Sequence, residues 1–73
     1  MSNEFGAGLK EWRARRRLSQ LELGLAAAVS ARHISFLETG RARPSRGMVL
    51  RLCEHLQVPR AARNRLLTAA GLA

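Results

Sequence analysis

The sequence predicts an all-α fold, a compact bundle of five short helices forming one domain over residues 1–73. Three observations lead there. Leu, Ala and Arg are the commonest residues and Pro occurs only twice, a composition that favours helix and offers few breakers. Apolar residues recur at helical spacing, with Phe5, Leu9 and Trp12 at i, i+4 and i+7, and Val49, Leu52, Cys53 and Leu56 on one face. Capping residues punctuate the chain: Ser19, Ser30 and Ser45 each precede a periodic run, and Gly40 and Gly71 each follow one. A hydrophobic content of 47% is ordinary for a globular domain and too rich for a disordered one.

The spacing predicts a first helix over 3–16, with Ser2 or Asn3 as its cap and Glu4 at its positive end. Gly6 and Gly8 weaken its first turn and favour fraying there. Trp12 falls on the apolar stripe and reads as core. Arg15, Arg16 and Arg17 sit where cations meet the negative helix end. Ser19 and Glu22 form a capping box for a second helix over 20–27, with Leu18 and Leu23 spaced as a hydrophobic staple. Ala28 and Val29 make a short turn, and Ser30 caps a third helix over 31–39 that ends at Gly40. Ile34, Leu37 and Val29 point inward. A basic loop, Arg41-Ala42-Arg43-Pro44, leads to Ser45 and a fourth helix over 46–57. Pro59 suits the first turn of a fifth helix over 59–70, whose apolar set is Leu66, Leu67 and Ala70.

Thirteen Lys+Arg oppose five Asp+Glu, giving a formal charge of +8. No Asp occurs and Lys10 is the single Lys. Such a surface attracts polyanions: DNA, RNA or an acidic membrane. Arg in place of Lys suits planar, bidentate contacts to phosphate or guanine. Cys53 stands alone and reads as a small apolar core residue; with His33 and His55 far apart, neither a disulfide nor a metal site is expected. No cofactor is expected. An enzyme is not expected either, because the acids are scattered and no nucleophile–base pair or Gly-rich phosphate loop is visible. Met1 to Gly8 lacks the basic start and apolar run of a signal peptide, and no apolar stretch approaches the ~20 residues needed to span a bilayer, so a cytoplasmic location is expected.

The segment Leu18-Ser-Gln-Leu-Glu-Leu-Gly-Leu-Ala-Ala-Ala-Val-Ser-Ala-Arg-His-Ile-Ser-Phe-Leu-Glu-Thr-Gly40 carries the functional signal. Two capped helices are separated by about three residues, and Gly24 leaves room for them to approach closely. The spacing predicts a helix-turn-helix over 20–39, with Ser30, Ala31, Arg32, Ser35 and Phe36 projecting outward.

This stretch resembles the helix-turn-helix of the phage repressor and Cro superfamily, the XRE family. The shared features are Leu18-Ser-Gln20, Glu22-Leu23, Val29-Ser30, Ile34-Ser35, Leu37-Glu38, Gly40, Pro44-Ser45 and Leu56-Gln-Val58, so the likeness covers about residues 9–58. It implies a five-helix, lambda repressor-like domain that binds double-stranded operator DNA, as a homodimer on inverted half-sites. By position it implies that Gln20 hydrogen-bonds a phosphate and that Ser30 and His33 contact the DNA backbone. Ala31, Arg32, Ser35 and Phe36 match positions that meet base edges. Arg41 and Arg43 lie in the loop that follows the phosphates. Arg13 and Glu38 match an ion pair joining the first helix to the third. The chain departs from the family at Ala28, where Gly is usual, at Leu21 and Leu25, usually polar, and at Phe36, unusual for a base reader.

Side-chain chemistry agrees. Arg32 can pair bidentately with guanine O6 and N7, and Ala31 and Phe36 suit thymine methyls. The plainer alternatives are a solvated Arg32, and a Phe36 folded over the junction of the second and third helices. Arg41, Arg43 and Arg46 are phosphate contacts or ordinary surface charge. His33 reads as a surface residue, and His55 as a partner of its helix's negative end. Exposed Leu21 and Leu25 are either scattered surface leucines or contacts to a second subunit or further domain.

The function expected is sequence-specific DNA binding by a transcriptional regulator, placed at the bacterial nucleoid. The rival is a protein-interaction, antitoxin-like module of the same fold with little sequence-specific DNA binding. Membrane or RNA binding fits less well, because the first helix's arginines cluster at its end and no aromatic ladder is present. The phrase Ser35 to Ser45 and the tail Arg63 to Gly71 also resemble the N-terminal region of longer bacterial regulators.

Overall fold

The computed structural model describes residues 3–72. Among them five α-helices and no strand occur: α1 Glu4–Arg15, α2 Gln20–Ala27, α3 Ala31–Thr39, α4 Arg46–His55 and α5 Arg60–Ala69. The Cα radius of gyration is 10.7 Å, against about 11 Å expected for a folded chain of this length. The expected compact five-helix bundle is therefore the observed one.

Each helix starts where a side chain can accept an orphan backbone N–H. Asn3 Oδ1 accepts from the Gly6 N–H at 3.2 Å to open α1; Ser2, the other candidate, lies outside the described residues. Ser19 and Glu22 form the expected capping box at α2: the Glu22 N–H donates to Ser19 Oγ at 2.9 Å and the Ser19 N–H to Glu22 Oε1 at 2.8 Å. Ser30 Oγ accepts from the His33 N–H and Ser45 Oγ from the Met48 N–H, opening α3 and α4.

The helix ends differ from expectation by one or two residues. Arg17 (φ 57°), Ala28 (φ 58°) and Gln57 (φ 52°) take left-handed backbone just past α1, α2 and α4, so α4 stops at His55 instead of reaching 57. Pro59 is the N-cap of α5 and not a first-turn residue, because its ψ of 155° is extended. Gly6 does not loosen α1. It is buried, and a Cβ there would overlap backbone carbonyls of Leu37 and Glu38, so glycine lets α1 run tight against the end of α3.

The core holds Leu9, Leu23, Ile34, Leu37, Val49, Leu52 and Leu56, all under 2% exposed, with Phe5, Ala27, Cys53, Leu66 and Leu67 around them. Burial pushes the Cys53 thiol up, with Arg63 acting weakly against it. Trp12 is only partly core. It is half-buried against the cluster, and Arg15 and Arg16 place their Cζ atoms 4.8 and 5.4 Å from its ring centre.

The α2–α3 turn combines a strained residue with a crowded one. Ala28 is left-handed where a Cβ is unfavourable. Gly24 is buried, and a Cβ on it would strike the Val29 carbonyl. Ala28→Gly is therefore expected to stabilise the fold by about 0.5–1 kcal/mol, the relieved strain exceeding the extra unfolded-state entropy. Gly24→Ala is expected to destabilise it by about 1–3 kcal/mol. Urea midpoints at unchanged m-value measure both.

The Glu22 carboxyl lies below the usual carboxylate range, first through the Ser19 N–H and then through the Ser19 hydroxyl. A depressed carboxyl stabilises the fold fully above its unfolded value and loses that contribution as pH falls through the folded one. Glu22→Gln should thus flatten the acid limb of the stability–pH curve, as followed by helical circular dichroism during denaturant titration.

Candidate nucleic-acid interface

α3 packs on α2 and on α1. Ile34 and Leu37 fill its inner face and are fully buried. Spacing by three and four residues keeps them on one stripe, which leaves the opposite stripe to solvent. There Ser30 and Arg32 are exposed, while Ala31, His33, Ser35 and Phe36 are half-buried. Of the residues expected to project, Ser30 and Arg32 are exposed, whereas Ala31, Ser35 and Phe36 are only partly so. Arg41 and Arg43 are exposed on the loop that follows α3.

A buried carboxylate fixes how α3 sits. Glu38 is on α3, and its side chain is 4% exposed. Arg13 of α1 donates to it twice, from Nε to Oε2 at 2.7 Å and from Nη2 to Oε1 at 3.0 Å. Gln20 of α2 donates from Nε2 to Oε1 at 3.1 Å. Three helices thus meet at one charge. Arg13 Nη1 also donates to the Leu18 carbonyl at 2.9 Å, tying down the α1–α2 loop. The hydrogen bonds to Glu38 raise the Arg13 pKa above its already high value, against the effect of burial, so the guanidinium is charged at every pH at which the protein folds. Asn3 Nδ2 donates to the Glu38 carbonyl at 2.8 Å and fastens the same end of α3.

Phe36 organises the outer face. Its carbonyl accepts the Gly40 N–H at the cap of α3, the Arg41 N–H at 2.9 Å and the Ala42 N–H at 3.2 Å. Its ring lies 5.3 Å from Arg32 Cζ and 5.7 Å from Arg41 Cζ. A half-buried α3 seated on α2 through a short turn, with its polar stripe outward, is helix-turn-helix geometry. The model of the helix-turn-helix domain family matches residues 4–66 of the 73.

The chain belongs to the helix-turn-helix domain family. No curated protein and no solved structure matches it.

In this helix-turn-helix domain the arginines divide by role. Arg13 and Arg16 hold the fold, Arg16 by donating from Nε to the Leu56 carbonyl at 2.7 Å and from Nη2 to the Gln57 carbonyl at 2.9 Å. Arg46, read from sequence as a phosphate contact or plain surface charge, donates to the Leu72 carbonyl at 3.1 Å. Arg32 and Arg41 lie over Phe36, and Arg43 makes no hydrogen bond among the described residues. Gln20, expected at a phosphate, spends one amide hydrogen on Glu38; an amide has two, so the second stays available. The sequence reading placed Arg16 only at the negative end of the first helix and missed its clasp on the end of α4, since nothing local relates it to a carbonyl 40 residues away. The sequence reading did not pair Arg32 with Phe36 either, although their i, i+4 spacing was the signal that could have done so.

The two ends of the Arg13–Glu38 pair are unequally replaceable. Arg13 is 15% exposed and its long chain reaches towards water, whereas Glu38 cannot. Arg13→Met strands a buried carboxylate and is expected to cost about 3–5 kcal/mol. Glu38→Gln keeps an acceptor for Arg13 and Gln20 and is expected to cost less. Chemical denaturation of both variants checks the order; equal losses would contradict it.

Proposed function

We propose that this domain binds double-stranded DNA with sequence preference as part of a transcriptional regulator, with α3 in the major groove. The observation that carries this reading is the braced, outward stripe of α3 beside a basic loop. α3 has nine residues, which at 1.5 Å per residue is about 13 Å. An α-helix with its side chains is about 10–12 Å across, which a major groove about 12 Å wide admits. Arg32 is the projecting side chain able to pair bidentately with guanine; Ala31 and Ser35 flank it on the same face. Ser30, His33 and the second amide hydrogen of Gln20 then meet the phosphate backbone, together with Arg41 and Arg43. The formal charge of +8 supports a large counterion-release contribution to affinity. No helix among the described residues is long and apolar enough to cross a membrane. Residues 18–58 further support the phage repressor and Cro-like branch of the family, and with it a homodimer on inverted half-sites. Association with the nucleoid follows from DNA binding.

One observation favours a second reading. Leu21 and Leu25 are 61% and 76% exposed on α2, as an interaction module of the same fold would have them. The two readings separate by mutation: loss of partner binding in Leu25→Glu, with DNA binding indifferent to Arg32→Ala, favours the module.

Arg32→Ala is expected to cost about 1–3 kcal/mol on a duplex enriched from a randomised pool and to relax preference at one guanine. Arg43→Ala is expected to weaken all duplexes alike and lower the salt slope by about one. Fluorescence anisotropy across a salt series measures both. Equal wild-type affinity for every duplex would overturn base reading.

A further inference from the structure

We propose that Phe36 is a positioning residue that couples base reading to phosphate contact, by holding the guanidinium of Arg32 on α3 and that of Arg41 on the following loop against one ring. The inference rests on the DNA-binding reading above and adds to it a role for a residue that sequence chemistry assigned to a thymine methyl or to the helix junction. The two guanidinium carbons lie 5.3 and 5.7 Å from the ring centre, inside the distance at which an aromatic quadrupole attracts a cation. Arg32 is four residues before Phe36, so the helix itself brings the first pair together. Arg41 is five residues after it and beyond the end of α3. It reaches the ring because the Phe36 carbonyl gathers the N–H groups of Gly40, Arg41 and Ala42 into one tight helix end. One residue therefore fixes the loop through its backbone and the two cations through its side chain.

The alternatives for this ring are weaker. A thymine methyl needs bare apolar surface, and two cations already lie over the ring. Simple core-edge packing would not draw both guanidinium groups, one of them on a separate element, to the same side chain. Neither guanidinium is paired with a carboxylate among the described residues, so each is free to meet an anion or a base edge, and a guanine and its neighbouring phosphate offer both on B-DNA. Holding long side chains in place before binding lowers the ordering cost on association. It also predicts non-additivity: removing either arginine changes what the other gains from the ring.

The test uses the whole chain and two readouts. The first needs no DNA. The Arg32 and Arg41 side-chain protons should be displaced upfield by the Phe36 ring current in the free protein, and Phe36→Leu should return both to ordinary positions while helical circular dichroism holds. The second compares wild type, Phe36→Leu and Phe36→Tyr on a pool-enriched duplex and on versions with each guanine replaced. Phe36→Leu should lower the preference for the enriched duplex about 3–10-fold, from two weakened cation–ring contacts, and Phe36→Tyr should keep it. Arg32→Ala and Arg41→Ala should be non-additive with Phe36 present and additive with Leu in its place. Should Phe36→Leu retain full preference and the same coupling, or the arginine protons show no ring shift, the proposal is overturned. Should wild type treat all duplexes alike while the ring shifts persist, the DNA reading itself has failed and the coupling role falls with it. If Phe36→Leu loses helical signal, Phe36→Met supplies the same comparison.

Discussion

The structure depends on where the charge of Glu38 goes. A helix of nine residues is too short to persist alone in water, so α3 exists as a rod only because its neighbours hold it. The apolar stripe of Ile34 and Leu37 supplies adhesion but little orientation, since apolar contact is non-directional. Orientation comes from the carboxylate at its far end, gripped twice by Arg13 of α1 and once by Gln20 of α2. A side-on guanidinium pair has a fixed geometry. It therefore sets the rotation of α3 about its own axis, and with it which residues face out. A buried ion pair need not add net stability; its contribution here is to make one arrangement of three helices much better than the others.

A second theme is strain at the helix ends. α1, α2 and α4 each finish with a non-glycine residue in the left-handed region: Arg17, Ala28 and Gln57. Each costs about 1 kcal/mol, and a chain of this size has only about 4–11 kcal/mol of stability in total. Two of the three ends are clasped by arginines, Arg13 within α1 and Arg16 at its C-cap. Arg13 holds the Leu18 carbonyl next to Arg17, and Arg16 holds the Leu56 and Gln57 carbonyls. The turn at Ala28 has no such clasp among the described residues. It is held by the Ala28 and Val29 N–H groups donating to the Gly24 carbonyl and by the close fit of the turn over Gly24.

What could be read from the sequence was what is local. Ser19 with Glu22, Ser30, Ser45 and Gly40 mark helix boundaries through bonds spanning three to five residues, and such bonds leave a pattern in the chain. The apolar stripes were legible for the same reason, because helical spacing repeats. The outward face of α3 followed from that spacing, and the Arg13–Glu38 pair followed only from a resemblance. Gly6 was misread because glycine's cost in a helix is visible in sequence, whereas the carbonyls of Leu37 and Glu38 that demand it are brought by tertiary packing. Trp12 was misread in a similar way: its stripe is apolar, but Arg15 and Arg16 fold back over the ring it leaves exposed. Gln57 and Pro59 shifted the ends of α4 and α5 through backbone angles that a composition-based reading does not contain.

The division of the arginines also changes what the net charge means. A formal +8 treats every cation as equal. Counterion release counts only the cations that come to lie against phosphate. Arg13 is neutralised within the fold by Glu38. Arg16 and Arg46 are directed at backbone carbonyls, and Arg15 is paired with Glu11 at 3.0 Å. The charges left near the outer face of α3 are few: Arg32, Arg41 and Arg43. On such a surface the long-range field draws a polyanion from any direction, whereas in the proposed DNA-binding reading the short-range contacts that set affinity and register are assigned to those three and to the helix starts. The basic composition and the specific site are therefore separate properties of this chain, and only the second depends on the carboxylate that holds α3 in place.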